Sequence, residues 1–562
     1  MKTSKILFAV IILSFNLIKL LAQPLSLTKV QDIPFEFHKI TDIRNGYTLQ
    51  SNASPQQLWL DLNNPEFLHA VFINSQFKET PFSDRTCLYF GSTDFGQYWF
   101  ELGPVPDTSR AGSPSIYGTG NGTAIIANQS DYFGLPTRTG LFIDNSPFEY
   151  NFTAYDPDSL LATNWPKCIV IPDGNILIAS LALPSDSLVL NTFDPNTGTF
   201  SGWIIGETSR PEAYSFSISD FGKIGFAFIC GDGVNEGDVN YFESADNGIT
   251  WSLPIKIFDC PSEQGVAIGA LRGISLNFYG EEPCVVFEVC QQDFNSNNYF
   301  PRLPNQILFW SPNINGGVTK VIADSSRVAF SPSLNPADVF PPLCRPVIGR
   351  SDLYNFLFVA FSASTENVYV GTDSVTYFAG YFDYSTDGGQ TWLSSEPQKF
   401  TPEFTLLDWK YISGLSVYPV IEDFPNFYLI IHYVLQADSI EENPNPQFLS
   451  AKYYHSSSEP LIFDIFGVNE DASTFSDFRL EQNYPNPFNP STSIKYLIPH
   501  TAFVQLKVYD VLGNEITNLV SEEKQAGSYE VVFNASEIPS GVYFYTLKSG
   551  DFIQSRKLVL LK

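Results

Sequence analysis

An all-β fold is what this sequence predicts, and three observations predict it. The pattern Ser-x-Asp-x-Gly-x-x-Trp occurs at Ser92–Trp99 (STDFGQYW), Ser244–Trp251 (SADNGITW) and Ser385–Trp392 (STDGGQTW). Fainter turn sequences at Asp144–Tyr150, Asp194–Phe200, Ser311–Thr319 and Tyr453–Ser458 fill the gaps. Taken together, Asp94, Asp144, Asp194, Asp246, Asn313, Asp387 and Ser457 mark intervals of 50, 50, 52, 67, 74 and 70 residues, each long enough for one four-stranded sheet. The 39 Pro and 37 Gly, with aromatic residues at 15%, suit many short strands and turns, and no heptad or long amphipathic helix competes. The expectation is a β-propeller of about seven blades followed by a small β-sandwich of the immunoglobulin-like kind.

The elements follow in chain order. Lys2 and Lys5 precede an apolar run from Ile6 to Ile18, and Ala22 offers a small residue before Gln23, so residues 1–22 read as a secretory signal peptide. Asn16 and Lys19 interrupt the run, and no segment supplies the roughly twenty apolar residues of a membrane span. The propeller is expected over residues 24–468, a linker over 469–480 and the sandwich over 481–562. One blade can be assigned strand by strand, with Glu212–Ser219 innermost, then Lys223–Cys230, Val239–Ser244 and Trp251–Phe258. Loops between second and third strands are short at 78–86, 134–139 and 185–187 but long at 291–305, 364–378 and 437–446. Long loops are more often functional than decorative, so the later blades should raise a wall carrying Asp293, Tyr299, Phe300, Arg302, Tyr369, Tyr377, Glu441 and Glu442.

The chemistry of the repeated box is structural. A Ser hydroxyl and an Asp carboxylate satisfy backbone donors of a tight turn, the Gly accepts positive φ, and the Trp anchors the hairpin in apolar packing. The boxes resemble the Asp-box, or BNR repeat, of sialidase-like propellers. What that resemblance implies is a scaffold, with Ser92, Asp94, Gly96, Trp99, Ser244, Asp246, Gly248, Trp251, Ser385, Asp387, Gly389 and Trp392 as its structural residues. The catalytic equipment of sialidases does not carry over: no Arg-Ile-Pro-type motif precedes Ser92, where Arg44 sits in DIRNGY and Arg85 in SDRTC, and Arg302-Leu303-Pro304 falls in a late loop.

A second pattern lies between blades. Ser109-Arg110, Ser209-Arg210 and Ser326-Arg327 each follow a fourth strand and precede an inner one. Three guanidinium groups converging on the axis would clamp a carboxylate or sulfate, whereas pairing with neighbouring carboxylates would make them structural. Arg110, Arg210, Arg327, Tyr299 and Arg302 are therefore the candidate ligand-binding residues. No catalytic residue, metal site or cofactor is assigned: the four His within the passenger (His38, His69, His432, His455) show no metal-ligand spacing, and nucleophile-elbow and phosphate-loop patterns are missing. Gly231–Asp238 (GDGVNEGD) lacks the liganding order of a calcium loop and reads as a polar hairpin.

The tail is the most specific stretch. From Asn483 the chain runs NYPNPFNP, which can continue neither a helix nor a central strand. Short strand-like segments follow at Ser493–Leu497, Val504–Tyr509, Tyr529–Phe533, Val542–Leu547 and Arg556–Leu561. Phe478–Pro490 (FRLEQNYPNPFNP), Val508–Asn514 (VYDVLGN), Ile538–Tyr545 (IPSGVYFY) and Arg556–Lys562 (RKLVLLK) resemble, in order, the type A C-terminal sorting domain of type IX secretion cargo. The resemblance implies Gly541, Tyr543, Lys557 and Lys562 as parts of the sorting signal, the secretion machinery as partner, and an extracellular or surface location.

Charge and cysteine bound the rest. The net charge is −29, and the tail is balanced, so the acidity belongs to the passenger; a charge of that sign repels nucleic acid and anionic membranes. Seven Cys is an odd number for an exported protein, and Cys284 and Cys290, at ~3.4 Å per strand residue, lie about 20 Å apart, so buried free thiols are expected. The sequence thus reads as a secreted or surface propeller, a non-catalytic recognition or structural protein for extracellular glycan or protein. An extracellular glycoside hydrolase is the rival reading.

Overall fold

The structure, a computed structural model, describes most of residues 28–561. Residues 1–27, 30–37, 42–55, 76–83, 331–340, 401–407, 439–451 and 465–478 lie outside the described residues, as does the expected signal peptide, and between 408 and 464 only backbone pairing is described. Two compact units emerge, Leu27–Phe463 and one containing Asp464–Lys562.

Antiparallel sheets make up the larger unit, with a 3₁₀ turn at Asn315–Gly317. In chain order the sheets are Leu58–Leu60 to Phe100–Pro104 (sheet one), Ala111–Gly118 to Phe152–Tyr155 (two), then a seven-stranded array from Thr163–Val170 to Ile255–Phe258. That array is two sheets sharing the strand Thr199–Ile218, whose first half pairs with Ser187–Asp194 (sheet three) and whose second half pairs with Ile224–Cys230 (four). Val266–Tyr279 to Lys320–Ala323 form sheet five and Leu343–Ser351 to Gln398–Lys399 sheet six. Sheet seven contains Asp408–Val420, Asn426–Asp438 and Lys452–Ser457, and its outer edge is His38–Lys39, with His38 opposite His455. Thr28–Lys29 also joins this sheet, opposite Leu461 and Ile462. The strands expected for the blade at Glu212–Phe258 fall where the sequence put them, apart from a later start of the fourth, Ile255–Phe258.

The first strand of each sheet lies beside the first strand of the next, from Leu58–Leu60 through to Asp408–Val420, which lies beside Leu58–Leu60 again. Apolar layers fill the spaces between successive sheets. Alternation along the second strands feeds two layers at once: Ile126 packs against sheet one while Ile125 packs against sheet three, and Phe226 and Ala227 divide likewise between sheets three and five. Burial on both faces explains why these strands read as nearly continuous apolar runs such as Ile176–Ala182, interrupted only by Ser180 and buried throughout. All seven cysteines are unbridged and buried.

Each of the seven markers read from the sequence stands at or just beyond the end of a third strand. In the three full boxes the hydrogen bonds repeat. Ser92 Oγ donates to Asp94 Oδ1 (2.8 Å) and accepts from Gly96 N (2.9 Å), and Asp94 Oδ1 accepts from Tyr98 N (2.9 Å). The same three bonds join Ser244, Asp246, Gly248 and Thr250, and again Ser385, Asp387, Gly389 and Thr391. The glycines sit at φ 82°, 77° and 93°, and a Cβ on Gly389 would lie 2.4 Å from Phe309 of sheet five, so both conformation and space demand glycine there. The tryptophans differ. Trp99 is buried and donates Nε1–H to Gly96 O (2.9 Å), whereas Trp251 and Trp392 are half-buried edge-to-face partners of Phe242 and Phe309.

The expected long loops at 291–305 and 364–378 are extended hairpins. Glu282–Asp293 pairs with Asn298–Trp310 up to Asp293 opposite Asn298, and Phe356–Val370 pairs with Asp373–Ser385 up to Val370 opposite Asp373. Their polar, non-alternating sequences hid the strand period. Backbone places Tyr299, Phe300 and Arg302 in the strand Asn298–Trp310, while Glu441 and Glu442 lie outside the described residues.

The second unit packs Arg479–Leu480, Ser491–Ile498 and Gly527–Asn534 in one sheet, and Glu515–Lys524, Ala502–Tyr509, Gly541–Ser549 and Phe552–Leu560 in another. They share a core that includes Ile494, Leu506, Tyr545 and Leu560. Glu515–Lys524 escaped the sequence reading because none of its residues is buried and no apolar alternation marks it.

Candidate functional site

The inner strands of sheets two to six carry a bulge at one level, near the end where the second strands finish and opposite the Ser/Asp/Gly turns. Pairing register slips between Gly112 and Ser115, Asn164 and Lys167, Ser209 and Tyr214, Ala270 and Ile274, and Cys344 and Val347. In four of these bulges a non-glycine residue is left-handed: Ser113 (φ 46°), Trp165 (57°), Glu212 (61°) and Arg345 (54°). In sheet five Arg272-Gly273 takes the place. Such conformations cost roughly 1–3 kcal/mol each and gather where a site needs a side chain aimed. Here the bulges set Ser113, Trp165, Glu212, Arg272 and Arg345 in one band, one residue per sheet.

Beneath the band, the buried Glu288 accepts the Arg345 amide (2.8 Å). Burial pushes its carboxyl up from the ordinary range, while the Arg345 and Gly273 amides and the charges of Arg272 and Arg345 hold it down. A Cβ on Gly273 would meet Glu288 Oε2 at 2.5 Å and Pro346 Cδ at 2.8 Å, so the glycine makes room for the carboxylate under two adjacent bulges.

The inner strands line two cavities, the smaller of them among the bulges. The smaller, about 20 Å³, is lined by Ser113, Trp165, Lys167 and Glu212 among others. The larger, about 240 Å³, is lined by residues of the inner strands of sheets one to six. Side chains stitch these strands together: Gln56 Nε2 donates to Ile116 O (3.1 Å) and Cys168 O (2.7 Å), Ser215 Oγ accepts from Leu276 N (3.0 Å), and Ser275 Oγ accepts from Ile348 N (3.2 Å). Lys167 borders both cavities. Its Nζ donates to Tyr214 O (2.7 Å) and stands 5.5 Å from the centre of the Tyr214 ring.

Burial pulls the Lys167 ammonium down to about 8, against the opposing pull of Glu212. The sign of the stability effect follows. Between pH 8 and the unfolded value of 10.5 the unfolded chain holds a proton that the folded one has lost, so the cost of burying the charge is present below pH 8 and relieved as pH rises above it. Relative to Lys167→Met, the natural protein should therefore gain on the order of 2–3 kcal/mol between pH 7 and 10, measured by denaturant unfolding at each pH.

Of the two arrangements open to the Ser-Arg pairs, an anion clamp or pairing with carboxylates, Arg210 and Arg327 take the second. Arg210 lies in the sheet-four bulge, where it donates to Glu236 (2.9 Å), Gln292 (2.8 Å) and Leu271 O (3.1 Å). Arg327 lies in the turn after Lys320–Ala323, well before the inner strand of sheet six, and pairs with Asp383 (3.1 Å). Arg110 immediately precedes the inner strand of sheet two. Arg345, and not Arg327, lies in the sheet-six bulge, as Arg210 lies in that of sheet four. Of the Tyr299 and Arg302 side chains nothing is described. The sequence did hold a signal for the bulges: Pro114, Pro166, Pro211 and Pro346 interrupt inner strands, and proline inside a paired strand marks a bulge. Among the described residues no group of three His, Cys, Asp or Glu could hold a metal ion, and no helix is long and apolar enough to cross a membrane.

In the second unit the NPF segment lies along the terminal strand. Phe488 N donates to Val559 O (2.9 Å), Leu561 N to Phe488 O (3.0 Å) and Val559 N to Asn486 Oδ1 (2.8 Å). Lys557 O accepts from Asn486 Nδ2 (3.3 Å), and Tyr543, buried, donates its hydroxyl to Pro539 O (2.8 Å). Gly541 opens the strand before it, and Lys562 lies outside the described residues.

No curated protein matches the chain. Among solved structures it is similar to PorZ, a surface component of the type-IX secretion system of Porphyromonas gingivalis (13% identity, TM-score 0.32, covering 91% of this chain and 60% of that one). It is also similar to a glycoside hydrolase family 43 arabinoxylan arabinofuranohydrolase from Bacillus subtilis (10%, 0.31, 92% and 98%). An exo-β-1,3-galactanase from Phanerochaete chrysosporium overlaps to a like extent (9%, 0.32, 93% and 98%). The chain thus spans 60% of the length of PorZ, and at these TM-scores none of the overlaps assigns an activity. Residues 482–561 match the family described as the secretion system C-terminal sorting domain. That segment is a type IX sorting domain, and the chain carrying it is cargo for the cell surface or the extracellular space.

Proposed function

We propose that residues 27–463 form a seven-bladed β-propeller of the BNR/Asp-box type, and that the exported protein recognises an extracellular glycan or protein at the bulged end of its channel without chemically altering it. Seven sheets whose first strands meet in a closed ring, and three boxes with one hydrogen-bond pattern, support the scaffold. The observation that carries the recognition reading is the lining of the two cavities. Among the described residues Glu212 is the one carboxylate there, beside aromatic, amide and hydroxyl groups, whereas glycoside hydrolysis calls for two carboxylates about 5–10 Å apart across the bond to be broken. Glu288 is committed to the Arg345 amide under the bulges.

The test is to screen the secreted protein on a glycan array and against a panel of chromogenic glycosides. Binding without turnover is the expected result. Turnover abolished by Glu212→Gln would transfer the protein to the hydrolases.

A further inference from the structure

A partner can take hold of the four-stranded sheet of the sorting unit in two ways, along an open edge by strand addition or across its outward face. The edge beside the sorting motifs is closed. Along the terminal strand Phe552–Leu560, Gln554 Oε1 accepts Leu480 N (2.7 Å) and Arg556 Nε donates to Leu480 O (3.1 Å). Asn486 and Phe488 cover the remainder as far as Leu561. The Asn486 side-chain amide stands in for a paired strand, accepting from Val559 N and donating to Lys557 O. The opposite edge, Glu515–Lys524, is interrupted by two bulges and carries Glu515, Glu522, Glu523 and Lys524, features that discourage strand addition.

We propose that the face is what is recognised: the strands Gly541–Ser549 and Phe552–Leu560 dock by their outward side on an acidic, partly apolar surface of the type IX secretion machinery. The occupant follows from the segment, since residues 482–561 match the sorting family.

Alternation decides which side chains face outward. Tyr543, Tyr545 and Leu547 enter the core with Leu558 and Leu560, and Tyr543 gives its hydroxyl to Pro539 O. A docking partner therefore meets the residues between them. Val542 stands opposite Val559, Phe544 opposite Lys557 and Lys548 opposite Ile553. Phe544 is 39% exposed and Ile553 62%, and large apolar groups set among polar ones on a solvent-facing surface mark a place of contact. Charge selects the partner. The charged residues of these two strands are Lys548, Arg556 and Lys557, with no Asp or Glu. In a chain of net charge −29 this carboxylate-free pair of strands is a local basic surface, which complements an acidic one and is repelled by a basic one.

The experiment follows delivery of full-length variants to the cell surface by fractionation and surface proteolysis. Phe544→Thr combined with Ile553→Thr removes the apolar groups and keeps residues that suit strands, and Lys548→Glu reverses the charge. Each should lower the surface-delivered share roughly tenfold or more, as loss of a central contact does, with the protein accumulating in the periplasm. Limited proteolysis of the purified variants should release the same resistant tail fragment as the natural protein. Val532→Thr, equally outward but on the other sheet of the unit at 66% exposure, should be delivered normally. Normal delivery of the double variant or of Lys548→Glu would overturn the proposal, and so would trapping of Val532→Thr to the same extent. Should the double variant fail to fold, Lys548→Glu decides alone. The sorting assignment stands apart from this test: loss of delivery on removing Lys557–Lys562, with normal delivery of Lys548→Glu, would overturn the face and leave the assignment intact.

Discussion

Removal of Lys557–Lys562 leaves residues 27–463 folded but keeps the protein from the cell surface. The deleted stretch contributes Leu558 and Leu560 to the core of the sorting unit and pairs through Leu558 with Tyr543 and through Leu560 with Gly541. It also carries the backbone groups of Val559 and Leu561 that hold the NPF segment. The small unit would lose the second half of its edge strand Phe552–Leu560 and that half's lining together. The large unit has its own core and forms a separate compact body, so its folding should be unaffected. Fractionation and surface proteolysis of cells expressing the truncated chain should find a protease-resistant passenger in the periplasm and essentially none outside. Normal surface delivery would remove the role assigned to the terminal strand.

The second large effect is Trp99→Ala, expected to cost about 3–5 kcal/mol, the usual loss for a large buried aromatic cut to alanine. Trp99 is 5% exposed, packs with Leu68 and Phe90, and closes its own turn through Gly96 O. The corresponding changes at Trp251 and Trp392 should cost less, because both rings are half-buried and their indole nitrogens are buried without a partner, so truncation also removes an unfavourable group. Asp246→Ala should weaken the fold by less than any of the three tryptophan changes, since its carboxylate serves an exposed turn, and ligand binding should persist. Denaturant unfolding of the four variants gives the ranking. An Asp246→Ala protein of native stability that had lost its ligand would turn the box from scaffold into site.

The boxes were legible because they are local. Ser, Asp and Gly at fixed offsets meet within one turn whatever the rest of the chain does, and the seven markers taken from them stand at the ends of third strands. The sorting domain was legible for the same reason, its four motifs lying close together in sequence. The channel was not. Ser113, Trp165, Glu212, Arg272 and Arg345 belong to different sheets, and what unites them is a backbone irregularity at one level of the ring. The Ser-Arg pairs left open a three-fold clamp or pairing with carboxylates, and Arg327 stops in a turn and pairs with Asp383, while the arginine in the sheet-six bulge is Arg345. Lys167 gave no sequence signal at all: one lysine among apolar neighbours in Asn164–Val170 becomes distinctive only when its strand is surrounded.

The seam in sheet seven has a bearing on timing. His38 faces His455 there, so the outer edge of the last sheet is provided by the beginning of the unit. Entropy hardly objects, since each doubling of a closed loop adds only about 0.6 kcal/mol. Order of events is another matter. A chain emerging from its N-terminal end can pair sheets one to six as they appear, but the strand at His38–Lys39 has no mate until Lys452–Ser457 has been delivered. Until then both stretches are open edges able to recruit strands from other chains. The last sheet is thus a completion check: its edge closes only when the chain from His38 to Lys452–Ser457 is present as a whole.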